Sequence, residues 1–227
     1  MKYSAIILSG GRGNRMRESV PKQYLLLGGK PMIIHSVERL DRIDSIGEII
    51  IVCELNYVDH LREMMREYSI EKPVRLVEGG LTRQQSVYNG LKAAEYDNII
   101  LHEAARPFVR QRDFESLIAN HAVNVTFGYD IPFTVLRGSD KVIGILDRSE
   151  LINVQLPQKF NKQVLIVAHE KANKNNVTYT EDASLLFDNS SETIAIQKGS
   201  NLNVKITEPL DLELGEIIYK NYIINRK

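Results

Sequence analysis

The stretch Ala5-Ile6-Ile7-Leu8-Ser9-Gly10-Gly11-Arg12-Gly13-Asn14-Arg15-Met16, followed shortly by Pro21-Lys22-Gln23-Tyr24-Leu25, decides how this chain reads. A run of apolar residues reads as a buried strand. It breaks into a loop rich in glycine and arginine, with a lysine a few residues on. Glycine lets the backbone approach a ligand closely and turn its N–H groups inward. Phosphate is the ligand that such a nest and such cations suit best.

Two familiar phosphate loops fail here on particular residues. A dinucleotide fingerprint needs a third glycine where Met16 stands. A P-loop needs Gly-Lys-Ser/Thr, whereas Lys22 lies between Pro21 and Gln23. A nucleotidyltransferase loop, in which glycines wrap a triphosphate and Arg and Lys neutralise it, fits the whole string.

Working outward, short β-branched runs alternate with helical patterns. The runs at residues 5–8, 48–53, 74–78, 98–102, 130–135, 142–147 and 193–197 read as strands. Residues 32–40, 57–68, 82–95, 111–121, 162–173, 180–187 and 210–222 read as helices. This alternation predicts an α/β fold with a Rossmann-like, doubly wound, mostly parallel sheet. Ligands in such sheets bind outside the carboxyl ends of the strands. The glycine loop, Gly79-Gly80 and the segment 102–107 each follow a strand end, so one rim is expected to gather them. No linker or repeat divides the chain, which reads as a single domain over residues 1–227. Residues 132–156 stand apart: β-like runs, a turn signal at Gly138-Ser139-Asp140 and no helix. They read either as a hairpin packed on the sheet or as a protruding β-arm.

Composition narrows the function. The 227 residues are 43% hydrophobic and 26% charged, with 29 Lys+Arg balanced by 29 Asp+Glu. A neutral chain is a poor general binder of nucleic acid or of anionic membranes. The basic residues nevertheless cluster early, at Arg12, Arg15, Arg17, Lys22 and Lys30, which suits a small polyanion. The single cysteine, Cys53, excludes an intramolecular disulfide. No apolar run is long enough to span a membrane and no signal peptide is legible, so the expected location is the cytoplasm. The five histidines show no metal-ligand spacing.

Together with Gly79-Gly80-x-x-Arg83-x-x-Ser86-Val87, His102-Glu103-Ala104-Ala105-Arg106-Pro107-Phe108, Pro157-Gln158-x-Phe160, Thr180-Glu181-Asp182-Ala183-Ser184 and Asn203-Val204-Lys205-Ile206-Thr207, the opening string resembles the cytidylyltransferase family that includes the methylerythritol-phosphate and ribitol-phosphate enzymes. The resemblance covers essentially the full chain. It implies transfer of CMP from CTP to a small polyol phosphate with release of pyrophosphate, Mg²⁺ as cofactor, and a homodimer paired through the arm at residues 132–156. Other readings are a sugar-phosphate nucleotidyltransferase using another base, and a non-catalytic nucleotide-binding protein on the same fold.

The resemblance also implies roles. Arg15, Lys22 and Lys205 are the catalytic cations, acting on the reacting phosphorus and the leaving group. Ser9, Gly10, Gly11, Gly13, Gly80, Arg83, Ser86 and Ala104 bind the nucleotide. Glu103, Arg106 and Arg148 bind the acceptor, and Glu103 is also the candidate for a metal contact. Glu103 replaces the aspartate usual in the family. In the methylerythritol-phosphate enzymes the arm carries Pro-Val-x-Asp-Thr and a later segment Thr-Pro-Gln. Here Val135, Leu136 and Leu156 stand in place of the carboxylate and two hydroxyls, so an altered acceptor choice is expected.

Overall fold

The computed structural model describes residues 1–11 and 20–224. The chain runs through β1 (Tyr3–Leu8), a small hairpin of β2 (Leu26–Leu27) and β3 (Lys30–Pro31), α1 (Met32–Asp41), β4 (Ile46–Cys53), α2 (Val58–Glu67), β5 (Val74–Glu78) and α3 (Arg83–Ala93). There follow β6 (Asn98–Glu103), α4 (Gln111–Ala119), β7 (Val125–Asp130), β8 (Val135–Gly138), β9 (Val142–Leu146) and β10 (Ile152–Asn161). The last elements are α5 (Lys162–Lys174), α6 (Asp182–Asn189), β11 (Ala195–Lys198) and α7 (Pro209–Ile218).

Seven strands form one sheet in the order β11-β7-β10-β6-β1-β4-β5. All neighbouring pairs are parallel except the two made by β10, which runs antiparallel to both β6 and β7. Side chains on successive strand residues point to opposite faces, and the sheet is buried on both. Ala5 and Ile7 of β1, with Ile49, Ile51 and Cys53 of β4, pack under α1, α2 and α4. Ile6, Ile50 and Val52 go the other way, under α3, α5 and α6. That double burial explains why these strands read as unbroken apolar runs rather than as alternating ones.

Two expectations need correction. The expected strand at 130–135 does not exist as such. The sheet strand is β7, which ends at Asp130, and Val135 begins the separate hairpin β8–β9. The run at 152–161 went unread as a strand because Pro157 interrupts it. Proline has no N–H for the ladder, and the register against β7 shifts between Gln155 and Gln158. Residues 152–156 therefore belong to the main sheet and not to the arm. The arm is the β8–β9 hairpin with its flanking residues.

A third apolar cluster joins the chain's two ends. Leu27, Met32, Phe108 and Ile206 are buried together, with Leu212, Ile218 and Tyr219 packed against them. Gly28, at φ +58°, closes the β2–β3 turn, and its N–H donates to Glu216 Oε1 at 2.8 Å. A Cβ built there would lie 1.9 Å from Tyr219 Cε1. Gly28→Ala therefore combines left-handed strain with a clash against the C-terminal segment. It is expected to cost about 1–2 kcal/mol. An unchanged Tm in thermal unfolding would contradict this packing.

Candidate active site

β1 is flanked on one side by β4 and β5 and on the other by β6, so strand order reverses between β1 and β6. A crevice at such a switch point is where open α/β sheets bind ligands. Leu8 pairs with Glu103 in the parallel ladder, and the two strands end side by side. Beyond them Ser9 N–H donates to Val52 O at 2.8 Å, and Ala104 N–H to Leu8 O at 3.0 Å. The chain then leaves the sheet and opens a cleft of about 330 Å³.

The floor and walls of the cleft combine three strand ends with two distant segments. Ser9, Gly10 and Gly11 follow β1, while Glu103 ends β6 and Ala104 follows it. Gly80, Arg83 and Ser86 lie in the turn after β5 and the first turn of α3. Lys22 comes from a short turn after Pro21, and Lys205 from the extended segment before α7. Gly13 and Arg15 lie outside the described residues.

The 79–86 turn is built by side-chain capping. Thr82 caps α3, its hydroxyl accepting Gln85 N–H at 3.1 Å. Ser86 Oγ accepts Gly80 N–H at 3.0 Å and donates to Thr82 O at 3.0 Å. A Cβ on Gly80 would stand 2.1 Å from Gln85 Cγ and 3.0 Å from that residue's carbonyl carbon, so only glycine fits the turn. The Ser86 hydroxyl thus shapes the loop that would face a nucleotide.

Glu103 is the electrostatic centre. Its carboxylate lies 3.2 Å from Arg83 Nε, 2.9 Å from Lys205 Nζ and 3.5 Å from Arg106 Nε. Burial pushes its pKa up, but Lys205, Arg83 and Arg106 outweigh it and bring it down to about 2. It is therefore ionised at any pH the folded protein meets in use. A carboxyl whose pKa is depressed on folding contributes stability above its unfolded value, and that contribution fades as pH falls. The Glu103 share should be lost between about pH 4.5 and 2. An acid-unfolding series should show Glu103→Gln with a shallower fall in stability across that window. Parallel curves for the two proteins would show that the carboxylate is not held this way.

Arg83 is gripped from both sides, by Glu103 and by Asp182 Oδ2 at 2.5 Å from Nη1. Burial works against its charge, yet the two carboxylates push its pKa up. Its expected nucleotide role is thus joined to an internal one. Arg106 stands behind Glu103 and does not line the cleft, and its Nη1 donates to Asn203 O at 3.0 Å. Arg148 sits away from the cleft at the foot of the arm, donating to Pro132 O at 2.9 Å. Leu156 is buried in the core cluster with Phe160 and Leu165, so it strips no hydroxyl from the cleft.

Alternation along an extended chain puts Val204 and Ile206 on one face and Lys205 on the other. The segment is extended without joining a sheet, but the alternation holds. Ile206 is buried, its N–H donating to Ala105 O at 2.8 Å, while the half-exposed Lys205 turns to Glu103. Lys22 Nζ donates to Ile206 O at 2.8 Å, so both lysines flank one backbone segment.

Several residues escaped the sequence reading. Gln23 donates to Ser9 O at 2.6 Å and fixes the start of the glycine loop. Buried His102, its pKa lowered by burial to about 3, donates through Nε2 to Arg106 O at 3.2 Å with Ser36 Oγ 3.1 Å away. Asp182 was visible only as part of a quoted motif. Among the described residues no group of three or more His, Cys, Asp or Glu could hold a metal ion, and Glu103 is already engaged by three cations.

Similarity to known proteins extends over nearly the whole chain. The family profile described as 2-C-methyl-D-erythritol 4-phosphate cytidylyltransferase matches residues 3–221. A protein of that name from Halalkalibacterium halodurans is 35% identical over 222 residues, covering 96% of this chain and 97% of its own. One from Clostridium botulinum is 37% identical over 223 residues, with the same coverage. Among solved structures, a 4-diphosphocytidyl-2C-methyl-D-erythritol synthase from Anaerococcus prevotii superposes with a TM-score of 0.85 at 26% identity, covering 96% of each chain. The Thermus thermophilus 2-C-methyl-D-erythritol 4-phosphate cytidylyltransferase gives a TM-score of 0.76 at 25% identity, over 97% of this chain and all of its own. With the fold, the switch-point cleft and full-length similarity in agreement, the chain belongs to the 2-C-methyl-D-erythritol 4-phosphate cytidylyltransferase family.

Proposed function

We propose that the chain transfers the cytidylyl group of CTP to 2-C-methyl-D-erythritol 4-phosphate. An oxygen of the acceptor phosphate forms a bond to the α-phosphorus. The bond from that phosphorus to the bridging oxygen breaks, and its electron pair leaves with pyrophosphate. Both reactants are anions, so the protein's work is to gather them and to stabilise charge on the bridging and leaving oxygens. One observation carries the reading: Lys22 and Lys205, from opposite ends of the chain, converge on the cleft formed by the glycine loop, Gly80 and Glu103. Either lysine alone is an ordinary surface cation; together in that cleft they suit a triphosphate.

In this reading Ser9, Gly10, Gly11 and Gly80 let the nucleotide lie close to the backbone, and Arg15 adds a third cation. Glu103 keeps Lys205 and Arg106 in place. Mg²⁺, when carried by the triphosphate, would offset the charge of its phosphates. Val135 and Leu136 lie on the arm and Leu156 in the core, so none of the three replacements touches the cleft of its own chain. The acceptor proposed here is the one that the description of the matched family names. We place the enzyme in the cytoplasm, where nucleoside triphosphates are available; no helix among the described residues is long and apolar enough to cross a membrane.

The test is pyrophosphate release from each of CTP, UTP, GTP and ATP with Mg²⁺, against a panel of methylerythritol, ribitol and other alditol phosphates. CTP with 2-C-methyl-D-erythritol 4-phosphate should give the highest kcat/KM. Preference for another alditol phosphate would move the acceptor. Preference for another base would favour a different nucleotidyltransferase.

A further inference from the structure

From the cleft wall a chain of polar groups runs inward, from Glu103 through the partly buried Arg83 to Asp182 and His169. Asp182 is the first residue of α6 and is buried, and its Oδ1 lies 3.2 Å from Nε2 of the fully buried His169 on α5. His169 stacks on Tyr88 of α3, ring centroids 6.0 Å apart, so α3, α5 and α6 are tied together at this point. The guanidinium of Arg83 is planar and presents its donors in a rigid fork. Nε goes to Glu103 and Nη1 to Asp182, while Nη2 is buried with no hydrogen-bond partner among the described residues. An arginine committed in this way is an internal strut. Glu103, at its other end, is what holds Lys205 at 2.9 Å.

We propose that Asp182, oriented by His169, is a positioning residue for the nucleotidyl transfer: it anchors Arg83, so that Glu103 and through it Lys205 are fixed at the cleft. This inference rests on the function proposed above. It also separates from a plain charge effect. If Asp182 were only one more negative charge near a triphosphate site, removing it would tighten CTP and lower KM. If it positions the strut, removing it leaves the guanidinium held on one side only, and kcat falls because misplacement of reacting groups by an ångström is costly.

The experiment is a double-mutant cycle on pyrophosphate release, with thermal unfolding of each protein alongside. Asp182→Asn should lower kcat about tenfold to a hundredfold, with KM for CTP little changed. The same substitution in an Arg83→Ala background should cause little further loss, because residues acting through one network are not additive. His169→Gln, which keeps a donor, should stay close to the wild type, whereas His169→Leu should fall with Asp182→Asn. If Asp182→Asn fails to fold, His169→Leu takes its place in the cycle. Wild-type kcat in the single variant, a lowered KM with unchanged kcat, or losses that multiply in the double variant would each overturn the proposal. Absence of turnover in the wild type would overturn the function itself and this inference with it.

Discussion

Lys22→Ala is expected to lower kcat by about 10²–10³ while leaving the fold intact. The magnitude follows from removing one preorganised donor aimed at charge that develops in the transition state. Lys22 is well placed for that task. Pro21 precedes it, the turn Lys22–Tyr24 holds its backbone, and its ammonium lies at the cleft beside Ile206 O. Stability should change little, because the side chain is only partly buried and water can serve the carbonyl it leaves. Lys22→Arg should restore little, since a guanidinium fork does not replace a compact ammonium. A kcat near wild type for Lys22→Ala, measured on protein with an unchanged Tm, would return Lys22 to the status of a surface charge.

The second large effect concerns the arm. Phe133, Ile143 and Ile145 are 76%, 70% and 75% exposed, and Leu136 and Val142 are exposed beside them. A two-stranded hairpin with apolar side chains in water is marginal by itself, and natural proteins cover such edges. A two-fold partner's arm would cover them, giving a self-complementary interface. Arg148, absent from the cleft of its own chain, is then proposed to reach the acceptor phosphate of the neighbour's site. On that arrangement Arg148→Ala should raise KM for the acceptor by tenfold or more, on the order of losing one charge-assisted contact, with KM for CTP nearly unchanged. Mixing Arg148→Ala with Lys22→Ala subunits should partly restore activity, because a mixed dimer carries one site free of both lesions. A monomer in sedimentation that is fully active in the assay would refute the shared site.

The strand β1, the loop after it and the turn at Gly79-Gly80 were legible in the sequence because each is a local event. An apolar run bounded by glycine needs only its own neighbours to be recognised. Several such strand ends, read in order, already implied one rim and one ligand. The double-sided burial of β1 and β4 follows from the same runs. In contrast, β10 was hidden by Pro157, because its pairing with β6 and β7 comes from segments far away in the chain. That pairing shortened the arm and took Leu156 into the core.

The candidate site divides in the same manner. Residue type and position in the opening string were enough to single out Lys22, and the family resemblance added Lys205, Glu103 and Arg83. They gave no sign that Glu103 binds three cations at once, or that Arg83 is shared with Asp182. Those partners lie 20 and 99 residues from Arg83 in the chain. The fold class and the position of the rim that carries the candidate site were thus determined by the sequence itself, since hydrophobic runs and glycine turns act over a few residues. Which charges meet was decided only by tertiary structure, since an ion pair depends on distance in space, and α6 must pack beside α3 before Asp182 can reach Arg83.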